Sequence, residues 1–171
     1  MISSLVSPEH QLDPFAPKPL IEECTIGSMQ NKIKYNGLID TGALGYAFID
    51  IHLAQQLMEL FNIATVPLSK PKPIRAYDGV YRPPITDKLY LTLTIRKKTV
   101  CSAPFLITTL RAYSIIIGYP WMKAVTAFID CAAGRVRYLP DRYTWPKDSS
   151  TPLLLLKELP LPKKVGMLSG S

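Results

Sequence analysis

The run from Leu89 to Ile95 constrains the fold of this chain more than any other stretch. Leu89, Leu91, Leu93 and Ile95 alternate with Tyr90, Thr92 and Thr94, a period of two that puts every aliphatic side chain on one face of a strand. A helix would scatter the same four aliphatics over opposite sides. Cys101 to Thr108 is apolar and extended in character and supplies the expected pairing partner. A strand apolar on one face needs other strands to cover it, so the expectation is a mostly β domain.

Shorter segments fit that expectation. Ile33, Tyr35, Gly37 and Ile39 alternate with Lys32, Lys34 and Asn36, a strand that delivers Asp40 to a loop running to Gly45. Tyr46 to Ile49 resumes as a short strand. Asp50 then caps a helix whose apolar positions Leu53, Leu57, Leu60 and Phe61 form one stripe. Pro67, Pro71 and Pro73 break the pattern, and Asp78-Gly79 marks a tight hairpin tip. Ser114 to Gly118 reads as a strand buried on both faces, ending where another backbone comes close. Pro120 opens a short helix over Trp121 to Val125. Phe128 to Asp130, a turn at Ala133-Gly134 and Arg135 to Leu139 complete a last hairpin. Prolines crowd both ends, so the expected division is a linker over 1–23, a folded segment over 24–139 and a tail over 140–171.

With 171 residues, 47% of them hydrophobic, there is room for one ordinary domain and one core. No apolar run approaches the roughly 18 to 20 residues of a bilayer span, and Met1 to His10 has neither a basic start nor an apolar stretch. The chain is expected to be intracellular and cytoplasmic, not secreted, without a membrane partner. Three cysteines, Cys24, Cys101 and Cys131, are widely spaced and lack a histidine pair at ligand spacing. No metal or cofactor is expected. His10 and His52 are the only imidazoles, and neither is placed for a Ser-His or Cys-His system. The net charge of +7 comes from scattered cations. Neither Arg96-Lys97-Lys98 nor Lys163-Lys164 carries the interleaved aromatics that stack on bases, so nucleic acid is not an expected partner. Hydrolysis, if present, must run on carboxylates.

The segment suited to that work is Leu38-Ile39-Asp40-Thr41-Gly42-Ala43. A carboxylate can act as general base on water, a neighbouring hydroxyl can support it, and glycine lets the backbone turn while leaving room for a second copy of the loop. Alone, the tripeptide reads equally well as a turn acid after a strand. The order of features around it says more. A hairpin tip follows about forty residues later, and Ser114-Ile115-Ile116-Ile117-Gly118-Tyr119-Pro120-Trp121-Met122 follows after about forty more. Phe128-Ile129-Asp130 and Gly134-Arg135-Val136 come next. From about Lys32 to Tyr138 this resembles the retropepsin-like aspartic proteases, in particular those encoded by gypsy-class long-terminal-repeat retrotransposons.

The resemblance implies a retropepsin-like closed β-barrel monomer with one or two short helices. It implies Asp40, Thr41 and Gly42 as the catalytic loop, with Ile116, Ile117 and Gly118 packed beneath it. Ala43, Tyr77, Asp78, Gly79 and Val80 become substrate contacts, the last four near a flap tip. One departure stands out, because many members carry a polar residue directly after Asp-Thr-Gly-Ala, where this chain has Leu44.

Only one Asp-Thr-Gly is present, since Asp50 is followed by Ile51-His52 and Asp130 by Cys131-Ala132. A second carboxylate must come from another copy across a twofold axis. The expected activity is therefore a homodimeric aspartic endopeptidase acting on polypeptides, with retrotransposon polyprotein processing as its setting. Two alternatives are a catalytically silent dimerisation or peptide-binding module on the same fold, and a basic β-domain that binds nucleic acid.

Overall fold

The computed structural model describes residues 18–28, 30–74 and 82–140. Among them the elements run β1 (Ile21–Gly27), β2 (Lys32–Asp40), β3 (Ala47–Asp50), α1 (Ile51–Phe61), β4 (Val66–Lys72) and β5 (Ile85–Ile95). They continue as β6 (Lys98–Thr108), β7 (Ile115–Gly118), α2 (Tyr119–Ala124), β8 (Ala127–Asp130) and β9 (Arg135–Tyr138). The chain divides after Leu139, and every described element lies before that point.

The alternation in β5 is realised as the pattern demands: Leu89, Leu91, Leu93 and Ile95 are buried while Tyr90 is exposed. β6 pairs with it antiparallel, from Lys88 opposite Leu106 to Ile95 opposite Lys98. Neighbouring strands run in the order β1-β2-β7-β3-β6-β5, and β1 pairs again with β5. Six strands thus close into a barrel with no free edge. β4 hangs outside the ring on β5, and β8 and β9 form a separate antiparallel pair. Ile26, Ile39, Ile49, Phe105, Ile115, Ile117 and Trp121 belong to one continuous buried core.

The structure departs from the sequence reading at several points. β1 begins at Ile21, three residues before the expected start of the folded segment, and it closes the barrel. β4 is a strand despite Pro67 and Pro71, tolerable because it pairs on one side only, with a register shift between Pro67 and Lys72. On α1 the buried positions are Leu53, Ala54 and Leu57, whereas Leu60 is exposed. In β7, Ile115 and Ile117 are fully buried but Ile116 is only half so.

A glutamate holds the last hairpin to the barrel. Glu22 points inward from β1, is 5% exposed, accepts the Val136 amide at 2.6 Å and pairs with Arg96 at 3.0 Å. Tyr138 of the same hairpin donates to the Ile95 carbonyl at 2.7 Å. Replacing Arg96 by Met strands the Glu22 charge, but Arg96 is itself partly in water and the Val136 amide remains. We expect a loss of about 1–2 kcal/mol in chemical denaturation, below the roughly 3–5 kcal/mol of a fully buried pair. No change in stability would show that the amide alone satisfies the carboxylate.

Asp50 fastens the other end of β7. Its side chain caps α1 through the His52 amide at 3.0 Å and takes the Leu110 amide at 3.0 Å, while its own amide donates to the Ser114 carbonyl at 2.9 Å. Burial alone would raise this carboxyl, but the Leu110 and His52 amides and the His52 charge outweigh it. They hold it below its ordinary value of 3.8. A carboxyl lowered on folding adds stability above its unfolded value, and that share is lost as pH falls through the folded one. Asp50→Ala should cost about 2 kcal/mol near neutral pH. The gap between native and variant should narrow below about pH 4; a gap constant down to pH 2 would contradict the assignment.

Candidate active site

β2 ends at Asp40 and β3 begins at Ala47, yet the two strands are not neighbours. β7 lies between them, parallel to β2 with Asp40 opposite Gly118, and antiparallel to β3 with Ala47 opposite Ile117. The loop 41–46 must therefore cross over the end of β7. The Gly118 amide donates to the Tyr46 carbonyl and the Tyr119 amide to the Ala43 carbonyl, each at 3.0 Å. The crossing leaves no space for a side chain at Gly118: a β-carbon there would overlap the Gly45 carbonyl oxygen and come within 2.8 Å of that of Ala43. Gly118 thus lies directly beneath the acid loop.

Within the loop, Asp40 Oδ1 accepts the Gly42 amide at 2.9 Å, and the Asp40 carbonyl accepts the Ala43 amide at 3.2 Å. This tight turn orients the carboxyl group and leaves Oδ2 without a protein partner among the described residues. Asp40 is half-buried, whereas Thr41 and Gly42 are exposed. The result is one carboxylate on a hydrogen-bonded loop at the end of β2, with no second carboxylate in a matching loop among the described residues. Asp50, at the end of β3, is taken up by the α1 cap and the Leu110 amide, and Asp130, at the end of β8, by its own turn, where the Ala133 amide and the Arg137 side chain hold it below the usual carboxylate range.

Tyr77, Asp78, Gly79 and Val80 lie outside the described residues. The strands on either side, β4 and β5, run antiparallel. The cysteines offer no competing nucleophile in the core: Cys24 is fully buried, and burial first, then the charge of Glu22, pushes its thiol up to about 12. Sequence reasoning missed the Gly45 and Tyr46 carbonyls, because backbone acceptors leave no trace in residue identity. Only the glycine at 118 hinted that another chain segment passes there.

Comparisons with known proteins bear on the family and on the fold. The protein-family model described as the PEG10/RTL1 protease domain matches residues 36–141. Among solved structures, the chain is similar to the retroviral protease-like domain of Ddi1 from Leishmania major. The identity is 20% and the TM-score 0.50, over 74% of this chain and 98% of that one. It is also similar to a retropepsin-like aspartic protease from Rickettsia conorii, at 16% identity and a TM-score of 0.37, over 68% and 90% of the two chains. The first likeness bears on the fold alone, and the second adds no argument. No curated protein matches the chain significantly.

Proposed function

Since the chain belongs to the PEG10/RTL1 protease domain family, a family of retropepsin-like aspartic proteases, we propose that two copies pair through their Asp40 loops to form an aspartic endopeptidase. The observation that carries this reading is the loop itself: a lone carboxylate held by the Gly42 amide and seated on Gly118, beside an exposed Thr41 and Gly42. Half of a symmetric site looks like this when its other half is a second copy of the same surface.

In the pair, two carboxylates a few ångströms apart cannot readily both ionise, so they share one proton, as in aspartic proteases generally. The ionised member takes a proton from a water molecule as the water oxygen attacks the peptide carbonyl carbon. The protonated member gives its proton to the developing oxyanion. The tetrahedral adduct then collapses: the C–N bond breaks, the amine leaves with the proton taken from water, and a hydroxyl of the gem-diol returns its proton to the other carboxylate, restoring the shared proton. Thr41 supports the paired loops by hydrogen bonding, Ala43 lines the groove, and the segment holding Tyr77, Asp78, Gly79 and Val80 closes over the peptide. The stretches before β1 and after residue 139 act as linker and tail. The polypeptide acted on is a retrotransposon-type polyprotein, and the work is done inside the cell.

The test is cleavage of a diverse peptide pool at about pH 5 across a range of protein concentrations, below and above the dimerisation constant. Specific activity that rises with concentration supports a shared site. A folded chain that cuts nothing at any concentration would leave a binding module as the surviving reading.

A further inference from the structure

We propose that the outer face of β5 carries a ligand site separate from the acid loop, an open cleft that takes an uncharged aromatic ring bearing a hydroxyl group. The cleft measures about 190 Å³, the scale of a single ring, since an apolar cavity of about 150 Å³ accepts benzene. Phe61, Ile63 and Tyr90 line it together with Ser28, Thr92 and Ser102, and none of its lining residues is charged. β1 ends beside it at Gly27, which pairs with Lys32 at the opposite end of β2 from Asp40. Roughly 25 Å of strand therefore separates this cleft from the acid loop.

The apolar walls are anchored. α1 stops at Phe61, where Asn62 takes the left-handed cap conformation at φ 50° and both its amide and that of Ile63 return to the Met58 carbonyl. Phe61 and Ile63, on either side of that cap, pack against the core. The Lys88 ammonium lies 5.0 Å from the centroid of the Tyr90 ring and steadies it from outside the lining. Two aromatic walls favour an aromatic guest, by offset stacking or edge contact.

The polar part of the lining says what the ring should carry. Tyr90 and Thr92 share one face of β5, opposite the buried Leu91 and Leu93. Between the pairs Leu91–Ala103 and Leu93–Val100 the register shifts, so Thr92 faces a β-bulge at Cys101 and Ser102. Ser102 holds φ 56°, a left-handed torsion uncommon outside glycine, and such bulges and outliers recur beside binding sites. Neither Thr92 nor Ser102 makes a side-chain hydrogen bond among the described residues. Ser28 Oγ accepts the Gln30 and Asn31 amides at 3.3 and 3.1 Å, which leaves its hydrogen to donate. Hydroxyls of this kind can meet a phenol oxygen, whereas no lining group can compensate a buried charge.

The test titrates p-cresol, toluene and 4-methylbenzoate into the full chain and follows the backbone amide resonances by NMR. p-Cresol should shift the Ser28, Thr92 and Ser102 amides with a Kd of about 1 mM or lower, about 3- to 10-fold tighter than toluene, and the anion should bind more weakly than either. Thr92→Val and Ser102→Gly each remove one hydroxyl from a backbone the new residue tolerates. Together they should erase the preference for p-cresol over toluene while the unfolding midpoint is kept. A second arm presents the same ring as the tyrosine of Gly-Gly-Tyr-Gly-Gly, in the Asp40→Asn chain so that binding is read without cleavage. A peptide that binds at least as tightly as p-cresol makes the ligand a tyrosine side chain, and one that binds less tightly makes it a free phenol; either supports the site. No shift at these amides with either probe overturns the proposal. So does equal binding of toluene, a preference that survives both substitutions, or tighter binding of the anion, which would make Lys88 the recognition group. None of these outcomes depends on whether the chain cuts peptides.

Discussion

The Asp40→Asn chain should lose about 10²- to 10⁴-fold or more in kcat/KM for any peptide the native chain cuts, with its unfolding midpoint nearly unchanged. The fold is indifferent to the change because the asparagine Oδ1 can still accept the Gly42 amide, at 2.9 Å in the native loop. Chemistry is not, because the amide can neither take a proton from water nor hold the shared one. Mixing sharpens the result. If both carboxylates of a site come from separate copies, equal amounts of native and variant chain, once subunits exchange, leave about one quarter of the pairs with two aspartates. Activity per native chain should then fall by about half. Activity that stays proportional to the native chain alone would mean that each copy acts singly. Cleavage by the pure variant would end the assignment of Asp40.

Much of this architecture was legible because it rests on side-chain periodicity. β5 and β6 follow from Leu89, Leu91, Leu93 and Ile95, and α1 from Asp50 at its cap. β1 was missed for an equally physical reason. Its inward positions are Glu22, Cys24 and Ile26, and a glutamate at the head of such a set hides the alternation. That charge is tolerated because Val136 and Arg96 meet it from residues more than seventy positions away. β4 was obscured by prolines that only an outer strand can accept. At the site, Asp40, Thr41 and Gly42 were readable as residue types, and the glycine at 118 marked a close backbone approach, while its place beneath the acid loop came only from the family resemblance. The crossing of 41–46 over β7 could not be read, because it is made of carbonyls.

That crossing yields the second large effect. Gly118→Ala should destabilise the chain by about 3 kcal/mol or more and remove any activity with it. The φ of Gly118 is −96°, open to any residue, so the demand is for space and not for torsion. A β-carbon would meet the carbonyl oxygens of Gly45 and Ala43, both backbone atoms, and neither can swing aside as a side chain tip can. Relieving the clash means lifting the acid loop off β7, which breaks the Gly118–Tyr46 and Tyr119–Ala43 hydrogen bonds and displaces Asp40. Gly134→Ala provides the opposite case. There φ is +61° and nothing lies within 4 Å of the added carbon, so only the left-handed torsion is penalised, by about 1 kcal/mol. Chemical denaturation of both variants decides the point. Equal losses would mean that the loop yields easily and that the tight seat on Gly118 does not position the Asp40 carboxylate.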